Sequence, residues 1–280
     1  MKKIAFLSGL VVVLVTSLLV GCTDRELSHE EIVQLVNDVL VTNARVETVK
    51  FDMNTTTKVE IIGGPEPEGA TVVGEGTGAI DSANREMQLI IDMNVDVPGE
   101  ERQSMPMESY LVDGWMHIKV SVEETGTQWV KVQLPDEMWD SQSQICQQIE
   151  FLETAKRVSF LGSEDVNGAD CYVVEIEPCA EALNKMLSQI QMPGIEGADL
   201  SQFNFTDAVK AMSFKQWIAQ DDYLIMKSET NVTMEMTPED IGVNTEKFQK
   251  VTMEQSAVMV FYDYNDPVSI ALPAAALEQK

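Results

Sequence analysis

The side chains able to do covalent or metal chemistry are few in these 280 residues: four cysteines, Cys22, Cys146, Cys171 and Cys179, and two histidines, His29 and His117. A thiolate attacks, ligates metal or forms a disulfide, and an imidazole ligates metal or carries a proton near neutral pH. Structural zinc needs four such ligands at characteristic spacings, and these intervals match none. No Gly-x-Ser-x-Gly, His-Glu-x-x-His, phosphate loop or Cys-x-x-Cys occurs. The acid pairs Glu123-Glu124 and Asp221-Asp222 fall in turn-forming stretches, where solvated carboxylates are expected. Hydrolase chemistry has no nucleophile constellation to rest on, and the chain reads as a non-enzyme with no metal and no cofactor. What remains is thiol chemistry. Among Cys146, Cys171 and Cys179 one disulfide would leave one thiol over. Cys146 with Cys179 is the preferred pair, since both fall near element ends.

Cys22 closes a distinctive segment. Lys2 and Lys3 lead an apolar run from Ile4 to Val20 that is broken only by Ser8, Gly9, Thr16 and Ser17. That layout is a secretory signal and not a structural helix. Its end, Leu19-Val20-Gly21-Cys22, resembles the lipobox of bacterial lipoproteins. The resemblance implies cleavage before Cys22, a diacylglyceryl thioether on its sulfur, and acylation of the new amine. Two or more chains hold a protein firmly at a bilayer, whereas one does so only marginally. A plain membrane-spanning helix, or an ordinary cleaved signal with an incidental cysteine, is the competing reading. The lipoprotein reading divides the chain into a signal peptide at 1–21, a lipidated tether at 22–28 and one domain at 29–280. It places that domain on the extracytoplasmic face of the cell membrane.

Loss of Lys2 and Lys3 with the signal would take the formal net charge from −27 to about −29. Such a domain repels nucleic acid and anionic headgroups. No later segment approaches the roughly 18 consecutive apolar residues of a span. With 44% hydrophobic residues the chain has ample core and is not disordered.

Ser28 with Glu31 forms a capping-box pattern ahead of Ile32, Leu35, Val36, Val39 and Leu40, which recur at helical spacing to about Asn43. From Val46 the period becomes two: Val49, Phe51, Met53, Thr55, Thr57, Val59 and Ile61 alternate with polar residues. Further strands are expected at about 71–80, 86–97, 105–112, 115–122 and 128–133. Glycines 74, 76 and 78 share one face of the second, which suits strong curvature. A helical stretch is expected from Leu134 to about Lys156, with Ile145, Ile149 and Leu152 on one face. A hairpin follows at 158–164 and 171–177, then helical segments at 180–191 and 201–211. Strands at 212–219, 224–236 and 250–264 close the order. Asp113-Gly114 and Asn167-Gly168 are hairpin turn signals. Runs of strands with segregated helices predict an α+β domain with an antiparallel sheet, curved around helices.

Several local motifs carry a family resemblance. Tyr110-Leu111-Val112-Asp113-Gly114-Trp115-Met116-His117, then Trp129-Val130-Lys131, is similar to an aromatic hairpin of the LolA/LppX-like lipoprotein superfamily. Val166-Asn167-Gly168-Ala169-Asp170-Cys171-Tyr172, Lys215-Gln216-Trp217-Ile218-Ala219 with Tyr223-Leu224-Ile225, and Tyr262 to Val268 resemble its later hairpins and closing strand. Ala219 stands where an acid is common in the family, and Met226 where a proline is common. The resemblance implies an incomplete antiparallel barrel with helices packed across its concave side, and an apolar cavity that binds lipids or lipoproteins.

Methionine is abundant, with 16 residues. Met53, Met87, Met93, Met226, Met234, Met236, Met253 and Met259 fall on the apolar faces of expected strands. An unbranched, polarizable side chain lines surfaces that accept varied apolar shapes; simple filling of the space between sheet and helices competes with that role. The candidate cavity residues are Phe51, Met53, Met87, Leu89, Ile91, Met93, Met234, Met236, Met253 and Met259. Trp115, Trp129, Trp139 and Trp217 either rim the cavity mouth or, more simply, pack in core or interface.

Two readings compete. In the first, a membrane-anchored lipoprotein shelters an apolar ligand, a lipid or acyl chains, for carriage or sensing at the cell envelope. In the second, the cavity is vestigial and the acidic surface recruits an envelope protein partner. Neither involves nucleic acid.

Overall fold

The computed structural model describes residues 27–64, 68–122, 126–135, 139, 143–179, 205–240 and 248–277. The expected signal segment, Cys22 and the helical expectation at 180–191 lie outside them. Helix α1 spans His29–Asn43. The capping box forms as its sequence requires: Ser28 Oγ accepts from the Glu31 N–H at 3.3 Å, and Glu31 Oε2 accepts from the Ser28 N–H at 2.9 Å. Both of these backbone donors would otherwise lack a partner.

Six strands follow, β1 (Thr48–Ile62), β2 (Glu68–Asp81), β3 (Glu86–Asp96), β4 (Gln103–Val112), β5 (Trp115–Val122) and β6 (Gly126–Gln133). After α2 (Gln144–Glu153) come β7 (Ala155–Val166), β8 (Ala169–Pro178), β9 (Val209–Ala219), β10 (Ile225–Met236) and β11 (Lys250–Tyr262). All eleven make one antiparallel sheet in the order β6-β5-β4-β3-β2-β1-β11-β10-β9-β8-β7. The fold is α+β, an open and highly curved sheet with helices on its concave side.

The turn signals act as expected. Asp113 and Gly114 take φ of 52° and 73°, and Asn167 and Gly168 take 55° and 88°. Positive φ at both central residues is the two-residue hairpin geometry that matches strand twist. Two helix boundaries differ from expectation. Of the stretch expected from Leu134 to Lys156, Leu134 and Pro135 are not helical, the Leu134 N–H donating instead to the Gly114 carbonyl, and the helix ends at Glu153, with Ala155 already paired to Pro178 as the first residue of β7. Of the stretch expected to be helical over 201–211, the described part is helical at Phe205–Ala208, and Val209 and Ala211 pair with Met234 and Thr233. In both cases an available strand edge wins over local helix propensity.

The main core lies between the helices and the concave face. Leu35 and Val39 of α1, and Ile145, Phe151 and Leu152 of α2, meet Val49, Phe51, Ile80, Met87, Val174, Phe214, Ile218 and Phe261. The Phe151 and Phe214 rings stack at 4.7 Å, tilted by 58°. Burying each such side chain contributes about 1.5–3 kcal/mol. Buried Asn43 fastens the end of α1 to the β9–β10 turn. Its Nδ2 donates to Tyr223 O at 2.9 Å, and its Oδ1 accepts from the Ile225 N–H at 3.3 Å.

Candidate ligand-binding face

Register decides which side chains share a face, because directly paired residues in an antiparallel sheet point the same way. On β1 the inward set is Val49, Phe51, Met53, Thr55, Thr57 and Val59, all buried or half-buried, while Asp52, Asn54, Thr56, Lys58 and Glu60 are exposed. On β2 these inward residues face Ile80, Gly78, Gly76, Gly74, Val72 and Ala70. Across the next pairings come Met87, Leu89, Ile91, Met93 and Val95, then Leu111, Ser109, Met107, Met105 and Gln103. On the other side of β1 stand Phe261, Met259, Ala257, Gln255 and Met253, followed by Ser228, Thr230, Val232 and Met234. No Asp, Glu, Lys or Arg occupies any of these positions. In a chain that is 23% charged, that exclusion is selective.

The glycines of β2 let the face curve closely. A Cβ on Gly78 would stand 2.1 Å from Cζ of Phe51, and one on Gly76 would stand 2.5 Å from the Ile90 carbonyl oxygen. Their absence lets the Phe51 ring and the Ile91 side chain lie down over β2.

All ten candidate residues share this concave face, in three settings. Phe51 and Met87 belong to the main core, with Met53, Leu89 and Met259 half-buried against it. Met234, Met236 and Met253 are buried toward the other end of the face, with Val232 and Val251. Between them Ile91 is buried and Met93 is half-buried, the latter opposite Gly74 and Met105. Val49 to Val59 spans about 33 Å of strand. The face is therefore buried at its Phe51 end and at Met234, Met236 and Met253, half-buried between them over methionine, threonine and glycine, and exposed at Met105 on the β4 side.

Met226 is on the opposite side from its expected partners. A bulge between Ile225 and Lys227 turns it to the convex surface, against Val166, Cys171, Val173 and Trp217. The tryptophans do not rim the face. Trp139 packs in the main core, while Trp115, Trp129 and Trp217 stand on the convex side. There Lys131 Nζ lies 4.3 Å from the Trp115 ring centroid, and Lys227 Nζ lies 3.9 Å from that of Trp217.

Of the cysteines and histidines, His117 and Cys171 have quiet environments. His117 is buried beside Tyr110 and Lys131 on the convex side, and burial, then the Lys131 charge, pushes its pKa down. Burial pushes the Cys171 thiol up to about 11, which removes its nucleophilic form at physiological pH. Cys146 and Cys179 are both half-buried against the main core. Among the described residues no three acidic, histidine or cysteine side chains gather as a metal site. No described helix is long and apolar enough to cross a membrane.

Sequence reading missed one group on this face. Gln216 of β9 pairs with Ser228 and Val174, and its Nε2 donates to the carbonyl oxygen of Gln148 at 2.9 Å. Its signal was available: Gln216 is the polar exception in the alternation Phe214, Gln216, Ile218.

A family model described as a family of unknown function (DUF6612) matches residues 31–280. A comparison with curated proteins finds no match. Among solved structures, lipoprotein LppX of Mycobacterium tuberculosis is 14% identical with a TM-score of 0.44, over 87% of this chain and 100% of that one. LprF from Mycobacterium bovis is 12% identical with a TM-score of 0.43, over 89% and 100%. A LolA superfamily protein from Nitrosomonas europaea is 12% identical with a TM-score of 0.23, over 86% and 94%.

Proposed function

This chain belongs to the DUF6612 family of unknown function, and from that premise we propose that it is a lipid-anchored envelope protein holding an apolar ligand, a lipid or acyl chain, against the concave face of its sheet. The observation that carries this reading is the absence of Asp, Glu, Lys and Arg from the register positions of that face between Val49 and Val59, in a strongly acidic protein. A ligand with a buried charge would find no counter-ion on the register positions around Met53. An acyl chain needs none, and loses its contact with water on entry. Flexible methionines at Met53, Met93 and Met259 adapt to chains of different shape. The anchor at Cys22 keeps the domain within reach of the membrane that supplies the ligand.

The test is mass spectrometry of organic extracts from the full chain purified out of membranes, beside a Cys22→Ser variant. The expected result is an acylated N-terminal peptide in the first alone and an apolar lipid bound by both. Protein that carries no lipid and takes none up from vesicles refutes the ligand reading. A stoichiometric protein partner without lipid would favour the surface-acting alternative.

A further inference from the structure

A polar niche interrupts the apolar floor under α2. Gln216 is 0% exposed. Its Nε2 donates to Gln148 O at 2.9 Å and lies 3.4 Å from Gln148 Oε1. The first bond fixes the amide orientation, since the flipped amide would set oxygen against oxygen. Gln216 Oε1 then has no hydrogen-bond partner among the described residues. Gln144, one turn before Gln148 on the same helix, leaves its own buried Oε1 in the same condition. Ser228, in register with Gln216, is buried beside it.

A buried acceptor without a donor is costly, and native cores seldom keep one unless something else satisfies it. Gln216 stands between Phe214 and Ile218 on the same face of β9, both of them in the main core, where an apolar side chain would carry no such cost. The register shows where a donor would come from. Gln216, Ser228, Met259, Met53, Gly76, Ile91 and Met107 form one continuous row across the sheet. Six strand gaps at about 4.8 Å give this row a length near 29 Å. It is polar at the α2 end and apolar and half-buried through Met259 and Met53.

We propose that the orphan amide oxygen of Gln216 seats the uncharged, donor-bearing polar end of the ligand, a lipid hydroxyl, while its chain lies along the row over Met259, Met53 and Gly76. This rests on the reading of the face as a lipid site and names the class of lipid. A hydroxyl donates to an amide oxygen. A carboxylate or phosphate brings no donor for the Gln216 oxygen, and no cation stands at the register positions of the row to offset its charge.

The experiment measures retention of radiolabelled 1-hexadecanol by the full chain, in competition with unlabelled 1-hexadecanol, its methyl ether and hexadecanoate, each below its aggregation limit. One hydrogen bond predicts that the alcohol competes about three- to tenfold better than the ether. Hexadecanoate at pH 8 competes worse than either. Gln216→Met reduces the alcohol's advantage over the ether without weakening the ether. Equal competition by alcohol and ether in the wild type overturns the inference and leaves the lipid site standing. So does an advantage that survives in Gln216→Met. If none of the three is bound, the lipid-site reading itself fails. The wild-type comparison decides the matter should the variant not fold.

Discussion

Gly78→Ala is a sharp test of how the concave face is built. The new Cβ would stand 2.1 Å from Cζ and 2.4 Å from Cε1 of Phe51. Ordinary carbon contacts lie at about 3.5–4.0 Å, so the ring must move by more than an ångström. It cannot do so freely, because Phe51 is fully buried and its ring lies 6.1 Å from that of Phe261. Overpacking of this kind costs about 1–3 kcal/mol. Replacing glycine by alanine inside a strand returns roughly 0.5–1 kcal/mol through lower chain entropy. With the middle of each range the net expectation is a loss of about 1 kcal/mol, or about 2–4 °C in Tm for a domain of this size. Urea unfolding should show a lower midpoint with an unchanged slope. Phe51→Leu removes the atoms in the way, so it should cost at least about 1 kcal/mol less in the Gly78→Ala background than in the wild type. A Gly78→Ala protein as stable as the wild type, or a Phe51→Leu cost equal in both backgrounds, would refute the close-packing explanation of the three glycines.

Two further outcomes follow from the convex side. The pKa of His117 is lowered in the folded state from its ordinary 6.5, so the unfolded chain binds the proton more readily. The stability associated with neutral His117 is therefore complete above pH 6.5 and declines as pH falls below it. His117→Gln should flatten that part of the stability-against-pH curve, and an unchanged slope between pH 6.5 and 5.5 would contradict the burial argument. Cys171, with its thiol near 11, should resist iodoacetamide at pH 8 in the native protein and react once urea unfolds it; rapid native labelling at that residue, mapped by peptide mass, would count against it.

Much of this molecule was legible because period and turn chemistry are local. The alternation through Val49 to Ile61 named the inward face of β1 correctly, and Asp113-Gly114 and Asn167-Gly168 placed two hairpins. What was not legible depended on partners distant in sequence. Ala155 and Val209 turned out to be strand residues because Pro178 and Met234 stood ready to pair with them. A single bulge after Ile225 reversed the side of Met226, and no pattern in its neighbours marks that bulge. Gln216 was read as part of a motif and not as a buried polar group, since only the approach of α2 gives its amide a setting.

The order of strands has a consequence for how the chain reaches this state. The centre of the sheet is a seam between β1 and β11, thirteen register pairs joining Lys50–Ile62 to Tyr262–Lys250. Strands β1 to β6 and β7 to β11 form two halves, and neither has that seam until the last strand is present. Closing it joins residues about 190–210 positions apart, so the final step is slow and entropically expensive. A chain that crosses a membrane from its N-terminus would spend that interval with β1 as a bare edge and Phe51 uncovered, a template for pairing with other chains. The same central seam that makes the finished sheet continuous therefore makes its half-finished form the state most in need of protection.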